Sequence, residues 1–213
     1  RGRRARGARQ KVFGPRRALT KGATGLGDAR AGNVRGRNAG SRRREVIQEA
    51  GKEIRVFMPR FGVINERRHQ LHDVIRLSGM NLIIDDFDHQ LIIKVASIQK
   101  LRLQVYFIDN EEYFPSKQMF YDLDGNFMSN NDERMIFYCK GVIETVRKLG
   151  WAPDVIHCQG WFSSLVPMYI KRIFSEEPLF DNVKIIYSVF DNGCNEALGN
   201  SLVEKLLFES LDA

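Results

Sequence analysis

Between Asp132 and Phe174 the hydrophobic period of the chain changes and changes back, and this constrains the fold more than any other feature. Met135, Cys139, Val142, Ile143, Val146 and Leu149 recur at three- and four-residue intervals, one stripe of an amphipathic helix expected over Asp132 to Leu149. Asn130 is placed to cap that helix, with Glu133 completing a capping-box-like arrangement, and Gly150 and Pro153 stop it. Asp154 to Cys158 is too short and too apolar for a surface helix and reads as a buried strand. Gly160 ends that pattern before Phe162, Leu165, Val166 and Tyr169 start a second helical period, expected to run from Trp161 to Phe174. A helix, a strand and a helix joined by such short turns belong to α/β proteins, where the polar turn after a strand is the usual place for a ligand.

The rest of the domain continues in the same manner. Glu53 to Pro59 alternates and closes on proline, Leu91 to Ile98 and Leu103 to Asp109 read as two more strands, and Lys184 to Val189 as another. Glu45 to Ala50 has the form of a helix end stopped by Gly51, and Glu196 to Phe208 of a final amphipathic helix. Pro115, Asp124-Gly125-Asn126 and Asn130-Asn131 mark a long loop between Tyr113 and Asn131, expected to overhang a site. Strands alternating with helices at this spacing imply right-handed crossovers and a mostly parallel sheet.

Charge divides the chain in two. Residues 1–44 hold fifteen basic side chains against the single acid Asp28, whereas residues 45–213 hold 18 bases against 25 acids, so the net charge of +7 arises wholly in the leader. That leader also contains half of the 18 glycines and one aromatic residue, Phe13. So little apolar surface cannot offset the entropy of ordering, and the expectation for 1–44 is an Arg/Gly-rich arm that is disordered or read from a wrong frame. A basic arm can bind nucleic acid through phosphates, but this one lacks the interleaved aromatic residues that stack on bases, so nucleic acid is not the expected partner.

Residues 45–213 suit one domain with a sizeable core. No apolar run approaches the roughly 18 residues of a membrane span, and no membrane partner is expected. Cys139, Cys158 and Cys194 are odd in number and form no Cys-x-x-Cys pair, which argues against a disulfide framework or a zinc site and for a reduced, cytoplasmic setting. His69 and His72 could share a helix face as metal ligands, but Arg67 and Arg68 beside them disfavour a cation. Asp85, Asp86 and Asp88 read as a solvated turn, His89 carries no specific signal, and neither a metal nor a cofactor is expected. His157 has a bland reading, a core histidine bonded to a carbonyl. Its functional reading improves when Gln159 and the helix start at Asn130 to Arg134 are set beside it, because polar groups from two junctions then converge on one crevice suited to a hydroxyl-rich ligand such as a sugar.

Four phrases carry a resemblance: Lys-Glu-Ile-Arg-Val-Phe-Met-Pro-Arg-Phe-Gly (52 to 62), Ile-Asn-Glu-Arg-Arg (64 to 68), Asn-Asp-Glu-Arg (131 to 134) and Trp-Ala-Pro-Asp-Val-Ile-His-Cys (151 to 158). With them, residues from Glu45 to Val189 resemble the N-terminal domain of bacterial glycogen and starch synthases, glycosyltransferase family 5, in particular its short single-domain members from Bacteroides-type bacteria. The resemblance implies an α/β fold, a Rossmann-like, mostly parallel sheet with helices on both faces, forming one half of a two-domain glycosyltransferase (GT-B) architecture. It implies transfer of glucose from ADP-glucose to the non-reducing end of an α-1,4-glucan with retention, and Asn131, Arg134, His157 and Gln159 as the residues lining the sugar-facing crevice. In the family the C-terminal domain holds the nucleotide, so this chain by itself is expected to be inactive or very weak, with a partner supplying that domain. A non-catalytic glucan-binding or regulatory relative is the alternative.

Several positions depart from the family pattern. Where the family has His-x-His-Asp-Trp, this chain has His157, then Gln159 for the second histidine and Gly160 for the aspartate. Asn130 replaces the carboxylate of Asp-Asn-x-x-Arg, and Ser188-Val189-Phe190-Asp191 stands where the family has Thr-Ile-His-Asn. The phosphate-loop motif Lys-x-Gly-Gly-Leu has no counterpart in register. Lys21 to Asp28 is near it in text only, and a correct frame is expected to encode a first strand and helix ahead of Val46.

Overall fold

A computed structural model describes residues 52–98, 103–115, 117–189, 196–198 and 201–207. The expectations for the leader and for the helix end at Glu45 to Ala50 lie outside these residues.

Strand β1 (Arg55–Pro59) pairs in parallel with β5 (Leu103–Asp109), from Arg55 opposite Gln104 to Pro59 opposite Ile108. Pro59 has no N–H to give to a ladder, and the next amide, Arg60, makes the last bond, to the Ile108 carbonyl at 2.9 Å. Strand β4 (Phe87–Ile98) begins four residues earlier than the apolar run indicates, because its first residues pair with β3 (Met80–Ile84). The β3–β4 turn is Asp85-Asp86, both at positive φ (49° and 66°), the two-residue hairpin geometry that short Asx side chains tolerate. Asp85 and Asp86 are thus a turn, as expected, whereas Asp88 lies in β4 opposite Ile83, and β3 itself was not anticipated: only Leu82 and Ile84 of its five residues are buried.

The α/β, Rossmann-like expectation holds in the parallel pairs β1–β5 and β6–β7, where β6 is Val155–Gln159 and β7 is Lys184–Ser188. Among the described strands, every antiparallel ladder involves β4, which lies between β5 and the short β2 (His72–Asp73) and also carries β3. The strands at Leu91 and Leu103 therefore form an antiparallel pair rather than a crossover. Helix α1 (Glu66–His69) ends at Gln70 in the left-handed conformation, so His69 and His72 occupy different elements and share no helix face.

Helix α2 (Asn131–Leu149) matches its expected stripe, with Met135, Cys139, Ile143 and Val146 buried. Gly150 stops it at φ 58° and donates its N–H to the Arg147 carbonyl. Gly141 sets how close the helix lies to the sheet: a Cβ there would meet Ile108 Cγ2 at 2.8 Å and Leu91 Cδ1 at 3.1 Å. The expected capping box is absent. Asn130 makes no side-chain cap bond, and the Glu133 carboxylate is drawn away to Tyr113 and Lys205 instead of reaching back.

The second expected helix is divided. Trp161–Ser163 is a 3₁₀ turn and α3 covers Leu165–Arg172, because Pro167 lacks the N–H for the Ser163 carbonyl and is tolerated only in a first turn. The last helix, α4 (Ser201–Leu207), starts later than Glu196, and Glu196–Leu198 lie outside it. One core of residues from β3, β4, β5, α2, α3 and the Phe61 and Phe114 loops fills the space between these elements. A smaller cluster of Ile64, Ala96, Val105 and Phe107 also forms. Among the described residues, no helix is long and apolar enough to cross a membrane.

Candidate functional site

The segments leaving the carboxyl ends of β1, β5 and β6 meet in an aromatic cluster. Phe61 follows β1, Phe114 and Phe120 belong to the loop after β5, and Trp161 and Phe162 follow β6. Phe61 lies 5.7 Å from Phe114, 5.3 Å from Phe120 and 6.0 Å from Phe162, and Phe120 lies 4.8 Å from Trp161. Carboxyl ends of parallel strands are where open α/β sheets bind their ligands, and here apolar contacts bring three such ends together. Spacing in sequence gave no sign of this cluster, since its members are brought together across loops rather than along one element.

His157 and Gln159 are both exposed, on alternate positions of β6, with His157 opposite Ile186 and Gln159 opposite Ser188. His157 Nε2 lies 2.7 Å from Ser188 Oγ. Between these two residues Cys158 points into the core, and burial pushes its thiol up to about 11. The bland reading of His157 as a buried core histidine is therefore set aside.

Asn131 and Arg134 are placed otherwise than expected. Both are buried and present no open surface to a ligand. Asn131 Nδ2 donates to the Phe120 carbonyl at 2.8 Å, and its Oδ1 accepts from Arg134 at 2.7 Å. Arg134 Nε donates to the Tyr113 carbonyl at 2.8 Å, and the guanidinium lies over the rings of Phe114 and Phe61 at 5.5 and 5.7 Å. Burial lowers its pKa to about 10, so it stays charged at neutral pH. The pair ties Tyr113 and Phe120, in the segment after β5, to the first turn of α2.

Two polar networks flank the cluster. In one, Tyr113 Oη lies 3.0 Å from His89 Nε2 and 3.2 Å from Glu133 Oε2, His89 Nδ1 lies 2.9 Å from Glu112, and Lys205 of α4 donates to Glu133 and, at 2.8 Å, to buried Asp132. His89 thus has a specific place that its sequence neighbours did not indicate: its partner Tyr113 is 24 residues away. In the other, Lys94 lies 2.8 Å from Glu66 and 3.3 Å from Asp109, and Arg60 lies 2.6 Å from Glu66. Arg60 Nε is also 3.3 Å from Asp109 Oδ2, without the alignment of a hydrogen bond. Among the described residues no group of three or more His, Cys, Asp or Glu could hold a metal ion.

Residues 44–211 match the family described as the starch synthase catalytic domain. The chain is 36% identical over 168 residues to a glycogen synthase of Chlorobium luteolum, covering 78% of this chain and 34% of that protein. It is 35% identical over 170 residues to one of Chlorobium limicola (79% and 35%), and 38% over 146 residues to one of Chlorobium chlorochromatii (68% and 30%). The chain thus spans about a third of the length of these relatives. Its fold is similar to that of the catalytic domain of starch synthase IV from Arabidopsis thaliana bound to ADP and acarbose, with a TM-score of 0.57 at 16% identity over 72% of this chain and 32% of that one.

Proposed function

Since the chain belongs to the starch synthase catalytic-domain family, we propose that it forms the acceptor-facing part of a glycogen or starch synthase-type glucosyltransferase, which moves glucose from ADP-glucose to the non-reducing end of an α-1,4-glucan. The observation that carries this reading is the convergence of the β1, β5 and β6 ends on one aromatic cluster, with His157 and Gln159 exposed on β6 where it enters that cluster. The solved starch synthase IV of like fold was bound to ADP and acarbose, which supports a nucleotide sugar and a glucan as the substrates in this reading.

In this reading His157 and Gln159 offer hydrogen bonds to sugar hydroxyls. A glutamine can donate and accept but carries no proton between steps. Asn131 and Arg134 act one step removed, by holding Tyr113 and Phe120 of the segment after β5 against α2. The charge that develops on the diphosphate needs preorganised donors, and losing even one such donor costs about 2.7–4 kcal/mol of barrier. We assign those donors to the part of the relatives that this sequence does not span. A cytoplasmic setting suits the free, buried thiols of Cys139 and Cys158.

The test is incorporation of label from ADP-[14C]glucose into glycogen by the purified chain, alone and mixed with the C-terminal domain of a related synthase. Little or no incorporation alone and clear incorporation in the mixture is expected. No incorporation in either would overturn the proposal, and calorimetric binding of maltooligosaccharide without ADP-glucose would then favour a glucan-binding relative.

A further inference from the structure

We propose that Tyr121, Phe127 and Trp161 form an aromatic wall on which successive glucose units of an α-1,4-glucan stack as the chain end approaches His157 and Gln159. The proposal rests on the glucosyltransferase reading and adds to it where the polymer runs.

The three rings form a row. Tyr121 and Phe127 lie opposite each other across a tight loop, joined by an antiparallel bridge, with their rings packed edge to face at 5.5 Å and 67°, and Phe127 lies 5.9 Å from Trp161 at a tilt of 50°. Trp161 in turn is backed by Phe120 at 4.8 Å and by Phe162 at 5.1 Å. Exposure rises along the row: Phe162 is buried, Trp161 and Phe127 are half-buried and Tyr121 is 43% exposed. The inner end is anchored in the core while the outer end offers ring area to solvent. Trp161 is joined to Gln159 through Gly160 alone, whose φ of 74° makes the turn. The row therefore starts where the polar groups of β6 end.

The loop that carries Tyr121 is built to hold its shape. Asp122 Oδ1 accepts from the amides of Asp124 at 2.9 Å and Asn126 at 2.8 Å, and the Asp122 amide donates to the Asn126 carbonyl at 2.8 Å. Gly125 supplies the left-handed turn at φ 84°. Preorganisation of this kind lowers the entropy lost when a ligand is bound.

The chemistry of the strip selects a neutral sugar chain. A glucose ring has an apolar C–H face and a rim of hydroxyls, so aromatic faces take the first and nearby polar groups the second. Asp122 and Asp124 on the same loop repel a polyanion, which disfavours nucleic acid on these rings even though rings also stack on bases.

The test is calorimetric titration of the 213-residue chain with maltoheptaose and with maltose, using the parent and the variants Tyr121→Ala, Tyr121→Phe and Gln159→Ala, each checked for an unchanged thermal midpoint. The proposal expects Tyr121→Ala to weaken maltoheptaose about fivefold or more, Tyr121→Phe to stay within about twofold because the ring face survives, and maltose to be less affected than maltoheptaose. Phe127→Ala serves as a second variant with the same expected direction. Unchanged maltoheptaose affinity in Tyr121→Ala alongside weakened binding in Gln159→Ala would overturn the wall and leave the glucan site standing. Equal losses in Tyr121→Ala and Tyr121→Phe would also overturn stacking, pointing to the hydroxyl instead. A parent chain that binds no maltoheptaose would overturn both the wall and the glucosyltransferase reading.

Discussion

Arg134 shows how far a residue can be read from a motif and where reading stops. The phrase Asn131-Asp132-Glu133-Arg134 marked a special helix start, and the structure does make that start special, but by burying Asn131 and Arg134 under the loop rather than presenting them to solvent. The direction of a side chain at a helix N-terminus depends on what packs over it, and here that cover, Tyr113 to Phe120, is loop with no period to read. Replacing Arg134 by Met leaves the Tyr113 carbonyl and Asn131 Oδ1 unpaired, for an expected loss of about 1–3 kcal/mol in urea unfolding. Arg134→Lys is expected to be at least as damaging, since an ammonium keeps the buried charge but not the planar fork that makes these bonds. A lysine variant as stable as the parent would refute this assignment. Gln159 was legible in a different way: its position put it with His157 near the end of a strand, and the structure has both exposed on β6.

At the scale of elements, period and punctuation located α2, β1, β5, β6 and β7 to within a residue or two, because each has a single buried face or a clear stop. They did not locate β3 or the antiparallel hand of β4, since a pairing partner leaves no mark on a strand's own period. The same pairing creates the charge network of β1, β4, β5 and α1. Glu66 has its pKa held below the usual carboxylate range, chiefly by its hydrogen bond with Lys94, opposed by partial burial and helped by Arg60. Its contribution to stability is therefore present above the unfolded carboxylate pKa and lost as pH falls through the lower, folded value. Burial works to lower Lys94, but its bonds to Glu66 and Asp109 outweigh that and raise it, so its contribution is present below the unfolded lysine pKa and lost as pH rises through the folded value. Asp109 goes the other way from Glu66, raised chiefly by burial despite Arg60 and Lys94 beside it, because it is far less exposed than Glu66. Its effect is to lower stability as pH rises from the ordinary carboxylate range to the folded value. Thermal midpoints measured from about pH 3 to 5 should fall less steeply with acid in Glu66→Gln than in the parent, and equal slopes would contradict the role given to Glu66.

For the whole molecule, the described residues contain two ladders, β1–β5–β4 with its hairpin and the two-stranded β6–β7, both packed on one hydrophobic core through α2 and the aromatic cluster. The smaller ladder is the less covered: Val155, Ile186 and Tyr187 are exposed, whereas Leu91, Ile93 and Ile108 of the larger are fully buried. Native-state hydrogen exchange should therefore show the amides of β6 and β7 opening at lower free energy than those of β4 and β5, and equal protection in the two ladders would overturn this ranking. The sequence by itself determined the α/β class, the boundaries of the strongly periodic elements, the place of His157 and Gln159 at the end of a strand, and the resemblance that the family match bears out. These are local properties, written in the period of burial along single segments. Only the tertiary structure decided that Asn131 and Arg134 turn inward, that β4 runs antiparallel to β5, and that rings from three strand ends meet beside β6. Each of those depends on residues tens of positions apart competing for the same space, and no single segment encodes the outcome of that competition.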